Sequence, residues 1–591
     1  MKQFPWSRIG SAAFVCLTAV TFAIWVVGWN VVDPTNIKWM HDDLITMQFA
    51  WQAYRADPSP AWTLSTNLVS WPLPIQITMF DLIPVLAVPL KLMSPWLPET
   101  FQYLGPIFIL NVGLQGLFAC LFFEEALAER RPRPELRASL ILAALFIATA
   151  PILFVRFRFG HPTLTAQWLI VAALWLYARS SRVSVANTLA AFTLLLFLAG
   201  GINPYLLVMT TGVYGAALAK LAAERRLGWR EDGLALAPVS AAFGALVLFG
   251  FLNLHGPGVI PGQGYGYFSA NLNSLVNPMD GPLGSSLLPS LPLWGRDQYE
   301  GYGYLGVGAL VFVIASVVYA RMHKQLYDTF SLPLLTVAAG SLLLAASLII
   351  TFGNSMVMFV DLPDSISDIL IIFRSSGRFI WVTIYILLSL SGFLLLRYAP
   401  PRTSFAVLSV AALIQIADLA RPFADLRRQF SELKSLRFDS PIYAGLGQAH
   451  RTLIVLPPWQ CRKDRDYAIG QFEPISLIAM ENGLRTNSFY SGRLSLDQEH
   501  YHCSDFPKAF RDAKPDNQTA YMFTPRAFRA SGGAVEGTHF CDFGDGFILC
   551  RADRDKVGLS ETARAAIEQT VSNQTSSHVT QIESLALRLN H

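Results

Sequence analysis

Charge is scarce in this chain: Asp, Glu, Lys and Arg make up 15% of its 591 residues, against 53% hydrophobic. A soluble domain carries about 25% charged residues, so the deficit excludes a single soluble body over the whole length. The formal net charge is only +4, and the basic residues are dispersed among short loops, which excludes nucleic acid as a partner. Nucleotide and hydrolase signatures are missing as well. There is no Walker A sequence, no H-E-x-x-H and no G-x-S-x-G, which argues against nucleotide-driven transport, zinc peptidase and α/β-hydrolase chemistry. Gly301, Gly303 and Gly306 match G-x-G-x-x-G, but they lead into an apolar run with no strand before them and form no dinucleotide site.

Long apolar runs take the place of charge. Spans are expected near residues 9–29, 104–123, 138–155, 163–178, 185–200, 203–222, 235–254, 304–320, 330–351, 378–396 and 403–419, each scaled to a hydrocarbon core of about 30 Å. The run after Lys2 and Arg8 is too long for a usual signal-peptide core and has no A-x-A-like site behind it, so it reads as an uncleaved first span. About eleven helices then make an all-α polytopic membrane domain over 1–419. Arg130, Arg131, Arg133 and Arg137, then Arg179 and Arg182, Arg225, Arg226 and Arg230, Arg321 and Lys324, and Arg397 and Arg402 all fall on the side of the N-terminus. The positive-inside rule makes that side cytoplasmic. Leu82–Leu90 is too short to cross and reads as a re-entrant or interfacial helix, which leaves 30–103 as one long external loop. Within it Leu44, Met47, Trp51 and Tyr54 recur at helical spacing, the pattern of an amphipathic helix lying along a membrane surface. Asn203-Pro204-Tyr205 reads as a span-terminating turn.

From 420 to 591 the composition is that of a soluble α/β domain, with strand-like runs at Thr452–Leu456, Tyr521–Thr524 and Phe547–Leu549, a helix over Glu561–Thr570 and a polar tail. Of six cysteines, Cys16 and Cys120 lie within spans and four lie in this domain. A two-residue Asp545-Gly546 turn would set Cys541 opposite Cys550 at a spacing that suits a disulfide, leaving Cys461 with Cys503. The pairing implies an oxidising, external compartment; four free thiols in a cytosolic domain are the alternative.

Candidate chemistry collects on the external side. His41-Asp42-Asp43 opens the loop helix; Asp42 suits an N-cap and Asp43, about 100° further round, faces a cleft. Asp81 reads either as the cap of the re-entrant helix or as a companion of Asp43. Arg156, Arg158 and His161 close the third span, and Arg374 and Arg378, one helical turn apart, open the tenth. Four guanidiniums outside run against the charge bias of the loops. They suit a phosphate-bearing ligand, or snorkel to lipid head groups, or pair with Asp361, Asp364 or Asp368. The loop 255–303 and the start of the next span offer Tyr265, Tyr267, Phe268, Trp294, Tyr299, Tyr302 and Tyr304, as a sugar-stacking surface or an interfacial aromatic belt, with Asp297 and Glu300 beside them.

Several short motifs carry a resemblance: Asp43 with Trp51 and Arg55; Phe80-Asp81 with Pro84; Phe101 and Tyr103 with Leu114 and Gly116; Arg158 to His161; Tyr299 to Gly301 with Tyr304 to Gly306; and Phe373 to Arg378. Together they resemble the GT-C class of membrane glycosyltransferases, in particular a group of poorly characterised bacterial GT-C-like proteins. Better-known members have an Asp-Glu or D-x-D pattern in this loop, where this chain has adjacent aspartates. The resemblance implies inverting transfer of a sugar from a polyprenyl-phosphate donor to a glycan or lipid-linked acceptor at the external face of a bacterial inner membrane. Asp43 would be general base, assisted by Asp42. Arg156, Arg158, His161, Arg374 and Arg378, with Asp81, Tyr299 and Glu300, would bind substrate. Asp42 and Asp81 can orient the base or hold Mg²⁺ or Mn²⁺. A transporter or flippase for a lipid-linked saccharide would use the same arginines without a base, and a structural or assembly protein that recruits partners through its terminal domain is a third reading.

Overall fold

A computed structural model of the chain describes residues 6–130, 133–228, 233–252, 265–281, 283–323, 330–433, 437–461, 469–492, 494–512, 514–531, 533–553 and 556–569. Arg131, Arg230, Lys324, residues 253–264 of the aromatic loop and the tail from 570 lie outside the described residues.

The helical part begins with α1 (Trp6–Val27), followed by a long connection holding α2 (Asp43–Ala56) and α3 (Pro84–Leu92). Then come α4 (Leu104–Ala126), α5 (Pro134–Ala148), α6 (Pro151–Arg158), α7 (Trp168–Arg179), α8 (Val185–Ile202), α9 (Pro204–Ala223), α10 (Ala237–Leu248), α11 (Val307–Met322) and α12 (Leu332–Ala346). A hairpin of β1 (Ile349–Phe352) and β2 (Ser355–Phe359) and the short α13 (Asp364–Leu370) lead to α14 (Ile380–Tyr398) and α15 (Pro401–Ser431). Among the described residues seven helical segments are long and apolar enough to cross a membrane, with α5 and α6 taken together as one. The expected count of eleven is not reached by length: α10, α11 and α12 are shorter apolar helices, and 12–16 residues rise only about 18–24 Å. The nine residues of α3, with Pro89 inside, cannot span.

Local sequence sets these boundaries. Proline occupies the first or second position of α3, α5, α6, α9, α10, α12 and α15, where its missing N–H costs nothing. Asn203 ends a span as expected, its N–H donating to Ala199 O at 3.0 Å, and it also caps the next helix by accepting from the Tyr205 N–H at 2.9 Å. The helix expected over 138–155 is interrupted within the segment, because Ala150 takes φ −55° and ψ 129° before Pro151, where α6 begins. The expected span at 330–351 ends at Ala346; Ser347 takes a positive φ of 64° and the chain enters β1. From α15, Asp418 accepts from the Val307 N–H and Tyr304 hydroxyl at 3.0 and 2.7 Å, and Gln415 accepts from the Ala309 N–H at 3.0 Å. An anion and an amide oxygen thus satisfy the orphan donors that open α11.

α14 is almost wholly buried and packs against α5, α11 and α12; α1 lies on α4 and α15, and α7 on α4 and α9. The arginine loops gather at one end of this layer: Arg397 meets Glu129 at 3.2 Å, Arg182 meets Glu125 at 3.1 Å, and Arg130 donates to the Leu396 carbonyl. α2 lies at the opposite end and is not a surface helix. Ten of its residues, Leu44–Trp51 with Ala53 and Tyr54, are buried, because Gln48 and Trp51 both donate to the Phe101 carbonyl at 3.0 Å and a helix of the terminal domain closes over it.

That terminal domain holds β3 (Thr452–Leu456), α16 (Ile469–Glu481), β4 (Arg485–Thr486), β5 (Thr519–Phe523), β6 (Phe540–Gly544), β7 (Phe547–Arg551) and β8 (Gly558–Leu559) in one mixed sheet ordered β8-β6-β7-β5-β3-β4. β3 runs parallel to β5, and β5 antiparallel to β7. The expected disulfides are present. Cys541 faces Cys550 across β6 and β7 with Cα atoms 4.0 Å apart, closed by Asp545 and Gly546 at φ 52° and 87°, and Cys461 is bonded to Cys503. The sheet continues into the long connection: the Trp71 N–H donates to Thr486 O at 2.9 Å and the Thr486 N–H to Leu68 O at 2.8 Å. Ser70 Oγ and His502 Nε2 lie 3.0 Å apart beside them. α16 crosses α2, so the terminal domain is fastened over the end of the layer where the aspartates lie.

Candidate functional site

The sequence Arg158-Phe-Gly-His161 ends α6 in a Schellman motif: the His161 N–H donates to Arg156 O and the Gly160 N–H to Phe157 O. Gly160 holds φ +75°, and a Cβ there would stand 2.7 Å from the Asp43 Cβ. Only glycine permits both the turn and the contact. The motif therefore presses the end of α6 against the start of α2 and delivers His161, whose Nδ1 lies 4.0 Å from Asp43 Oδ2 and 4.0 Å from Asp81 Oδ2. Burial, then the positive field of Arg378, lowers the His161 imidazolium to about 3, so the ring is neutral at physiological pH and these contacts are not ion pairs.

Asp43 is the first residue of α2, with 34% of its side chain open to the cleft. Burial, then the neighbouring charges of Asp81, Asp42 and Glu300, push its carboxyl up to about 7. Asp42 occupies the N-cap position but makes no capping bond; its carboxylate turns to His41 Nδ1 at 3.1 Å. Its backbone takes φ 49° and ψ −125°, a conformation rare for an L-residue, and its N–H donates to Glu473 Oε1 of α16 at 2.5 Å. Asp81 does not cap α3, whose N-cap is Ile83; it ends the preceding 3₁₀ turn Ile77–Phe80 with φ 55°.

The second half of the cleft is built on Glu300. Arg156 Nη1 donates to Glu300 Oε2 at 2.6 Å, and Arg378 reaches both carboxylate oxygens, Nε at 2.8 Å and Nη2 at 3.1 Å. Burial alone would raise the Glu300 carboxyl, but Arg378 and Arg156 outweigh it and hold it well below the usual carboxylate range. Two glycines permit this approach. A Cβ on Gly377 would lie 2.7 Å from the Gly301 Cα, and the Gly377 N–H donates to Phe268 O at 2.8 Å. Arg156 also lies over the Trp381 ring, and Arg378 over that of Tyr205.

The expected partners of the arginines are thus corrected: Asp361, Asp364 and Asp368 are exposed on and beside α13, and Glu300 does the pairing. Arg374 and Arg378 do not share a helical face. Both precede α14, and Arg374 stacks over Phe268, 4.8 Å from its centroid, with its charge still felt by His161 and Tyr490. Arg158 donates to the Gly281 carbonyl and stacks on Phe159. Tyr302 and Tyr304 are wholly buried and form neither an aromatic belt nor a sugar platform, whereas Tyr299 lines the cleft against Phe159. Asp297 is exposed.

Two residues of the terminal domain complete the cleft: Glu473 through Asp42, and Tyr490, whose phenol is pushed up to about 12 by burial and then by the charge of Asp43. Neither carries a local sequence signal, since both arrive by the docking of one domain on another. No group of three or more His, Cys, Asp or Glu among the described residues is arranged to hold a metal ion. Asp42 faces His41 rather than Asp43 or Asp81, so the carboxylates do not fit Mg²⁺ or Mn²⁺ as a chelating set.

Fold and cleft together define a polytopic membrane protein with a charged pocket roofed by its terminal domain. The chain belongs to the DUF6311 family, described as a domain of unknown function, which matches residues 16–420; the DUF6311 C-terminal domain matches 442–552. No curated protein matches it. It aligns with solved structures of the Archaeoglobus fulgidus oligosaccharyltransferase. Against AglB bound to an inhibitory peptide and a dolichol-phosphate, identity is 12%, coverage 94% of this chain and 77% of that one, and the TM-score 0.42. For the apo form the values are 12%, 94%, 76% and 0.44. Likeness at that level decides nothing about chemistry, which the cleft residues must carry.

Proposed function

We propose that this protein is an inverting glycosyltransferase of the GT-C type, moving a sugar from a polyprenyl-phosphate donor to a glycan or lipid-linked acceptor at the external face of a bacterial inner membrane. The observation that carries the reading is the meeting, in one cleft, of a carboxylate with its proton affinity raised to about 7 and a cluster of guanidiniums from distant segments. A base poised near neutrality suits proton abstraction from a hydroxyl. Two arginines around one carboxylate leave a net positive wall, and Arg374 adds a cation that has no acidic partner among the described residues. Such a wall suits a leaving phosphate.

In this mechanism Asp43 takes the proton of the acceptor hydroxyl as its oxygen attacks the anomeric carbon from the face opposite the phosphate. The glycosidic C–O bond to the prenyl phosphate breaks, and the departing oxygen charge is stabilised by Arg374, by the Arg156–Glu300–Arg378 cluster and by the neutral His161 ring as an N–H donor. Asp81 and Asp42 set the field that raises Asp43, and Tyr299 borders the sugar. No step is routed through a metal. Residues 1–419 are read as the membrane domain and 420–591 as an external domain. The clustering of Arg130, Arg182 and Arg397 at the end of the layer away from Asp43 supports a cytoplasmic N-terminus, and the disulfides support an oxidising compartment for the terminal domain.

Asp43→Asn in reconstituted protein should lower transfer about 10²–10⁴-fold while polyprenyl phosphate still binds, and mass spectrometry of surface glycans from a deletion strain should show the missing sugar. Undiminished transport of a lipid-linked saccharide by the Asn variant would put a flippase in its place.

A further inference from the structure

Between α12 and α14 the chain exposes apolar side chains that nothing among the described residues covers. In the β1–β2 hairpin Phe352, Met356, Val357, Met358 and Phe359 are each 51–60% exposed, and α13 adds Ile366 and Ile369. A patch of this kind on a folded chain marks an interaction surface. Three observations identify what it meets. The exposed apolar stripe of the shorter apolar helix α12, with Leu343 at 69%, runs straight into the hairpin, so the patch continues an outward apolar face of the helical layer. α13 is divided, with Ile366, Ile369 and Leu370 on one side and Asp364 and Asp368 on the other, as in a helix lying in an interface plane. The backbone limits the depth. The β1 edge is closed, since the Leu272 N–H donates to Thr351 O and Asn271 bonds the Gly353 N–H and carbonyl. The β2 edge has no strand beside it among the described residues, and an open edge is not tolerated in hydrocarbon.

We propose that the β1–β2 hairpin and α13 are seated in the lipid leaflet on the Asp43 side of the protein, at the boundary of head groups and acyl chains. There the apolar side chains leave water, while the β2 edge and the Gly353-Asn354 tip keep access to it. Because α13 runs directly into Phe373 and Arg374, this seating fixes the Arg374 guanidinium at head-group depth. The inference stands whatever reaction the cleft performs.

The test places an environment-sensitive fluorophore on Val357→Cys in protein whose free cysteines, Cys16 and Cys120, are replaced by alanine, in phosphatidylcholine–phosphatidylglycerol nanodiscs. A doxyl quencher near the lipid head group should quench roughly two-fold or more better than one at the chain terminus, and aqueous iodide should quench little. The same label on Asp368→Cys, from the polar side of α13, should respond to iodide. Strong iodide quenching at position 357 without a lipid response would show a hairpin in water and overturn the proposal. Protection from all three quenchers would show a protein cover instead, and stronger quenching from the chain terminus a depth the open edge forbids; either also overturns it. Met358→Cys repeats the measurement from the neighbouring strand position.

Discussion

The two halves of the cleft treat carboxylates in opposite ways. On the arginine side Glu300 is buried, bonded by Arg156 and Arg378, and kept ionised. On the aspartate side Asp43 is partly open, faces a neutral imidazole and other acids, and holds its proton up to about pH 7. Both groups are burdened by desolvation; what separates them is whether cations or anions stand nearest. A carboxylate with two guanidiniums is part of the frame, whereas one among like charges is available for proton transfer. Breaking the frame gives the largest expected effect. Glu300→Ala leaves two buried guanidiniums unpaired and should cost about 3–5 kcal/mol of stability, read as a large drop in thermal midpoint in detergent, while Asp43→Asn leaves the midpoint unchanged or raised. Equal losses from both would erase the distinction between the halves.

The frame also depends on close backbone approach. Gly377→Ala would set a methyl 2.7 Å from the Gly301 Cα, and because the obstacle is backbone it cannot turn aside. A cost of about 1–3 kcal/mol is expected, with donor binding weakened as Arg378 shifts from Glu300. On the aspartate side Gly160→Ala adds the φ +75° strain to a clash with the Asp43 Cβ; there the expected loss falls on turnover more than on stability, checked by comparing kcat with the unfolding midpoint.

This asymmetry explains what the sequence discloses. Asp43, His161 and the external arginines stood out because acids and guanidiniums are anomalous beside apolar runs, and the terminal cysteines because the Asp545-Gly546 turn fixes their register. Glu300 was visible as a residue, but its partner was not: the pairing needs the Gly301–Gly377 contact between segments about 75 residues apart, which no periodicity records. The break at Ala150-Pro151 was missed because the apolar run continues through it. The run into 349–352 reads as helix in the sequence for the same reason, since apolar content alone does not separate a helix from a short strand. Glu473 and Tyr490 left no trace, because domain docking is a property of surfaces rather than of spacing.

The finest prediction bears on Asp81, which raises Asp43 without touching the arginines' own carboxylate. Asp43 must be ionised to act as base, so activity should rise with pH through an acid limb near 7. Asp81→Asn removes the largest like charge that opposes ionisation, so the limb should move to lower pH, with transfer at mildly acid pH increased a few-fold and the alkaline plateau little changed. The sign is opposite for stability. A carboxyl whose proton affinity is raised on folding favours the folded state most below its unfolded value, and that contribution fades as pH rises through about 7. Asp81→Asn should therefore flatten the fall in thermal midpoint between pH 5 and 8. A limb that stays in place while the midpoint curve flattens would separate the titration of Asp43 from proton transfer and assign the base to another residue.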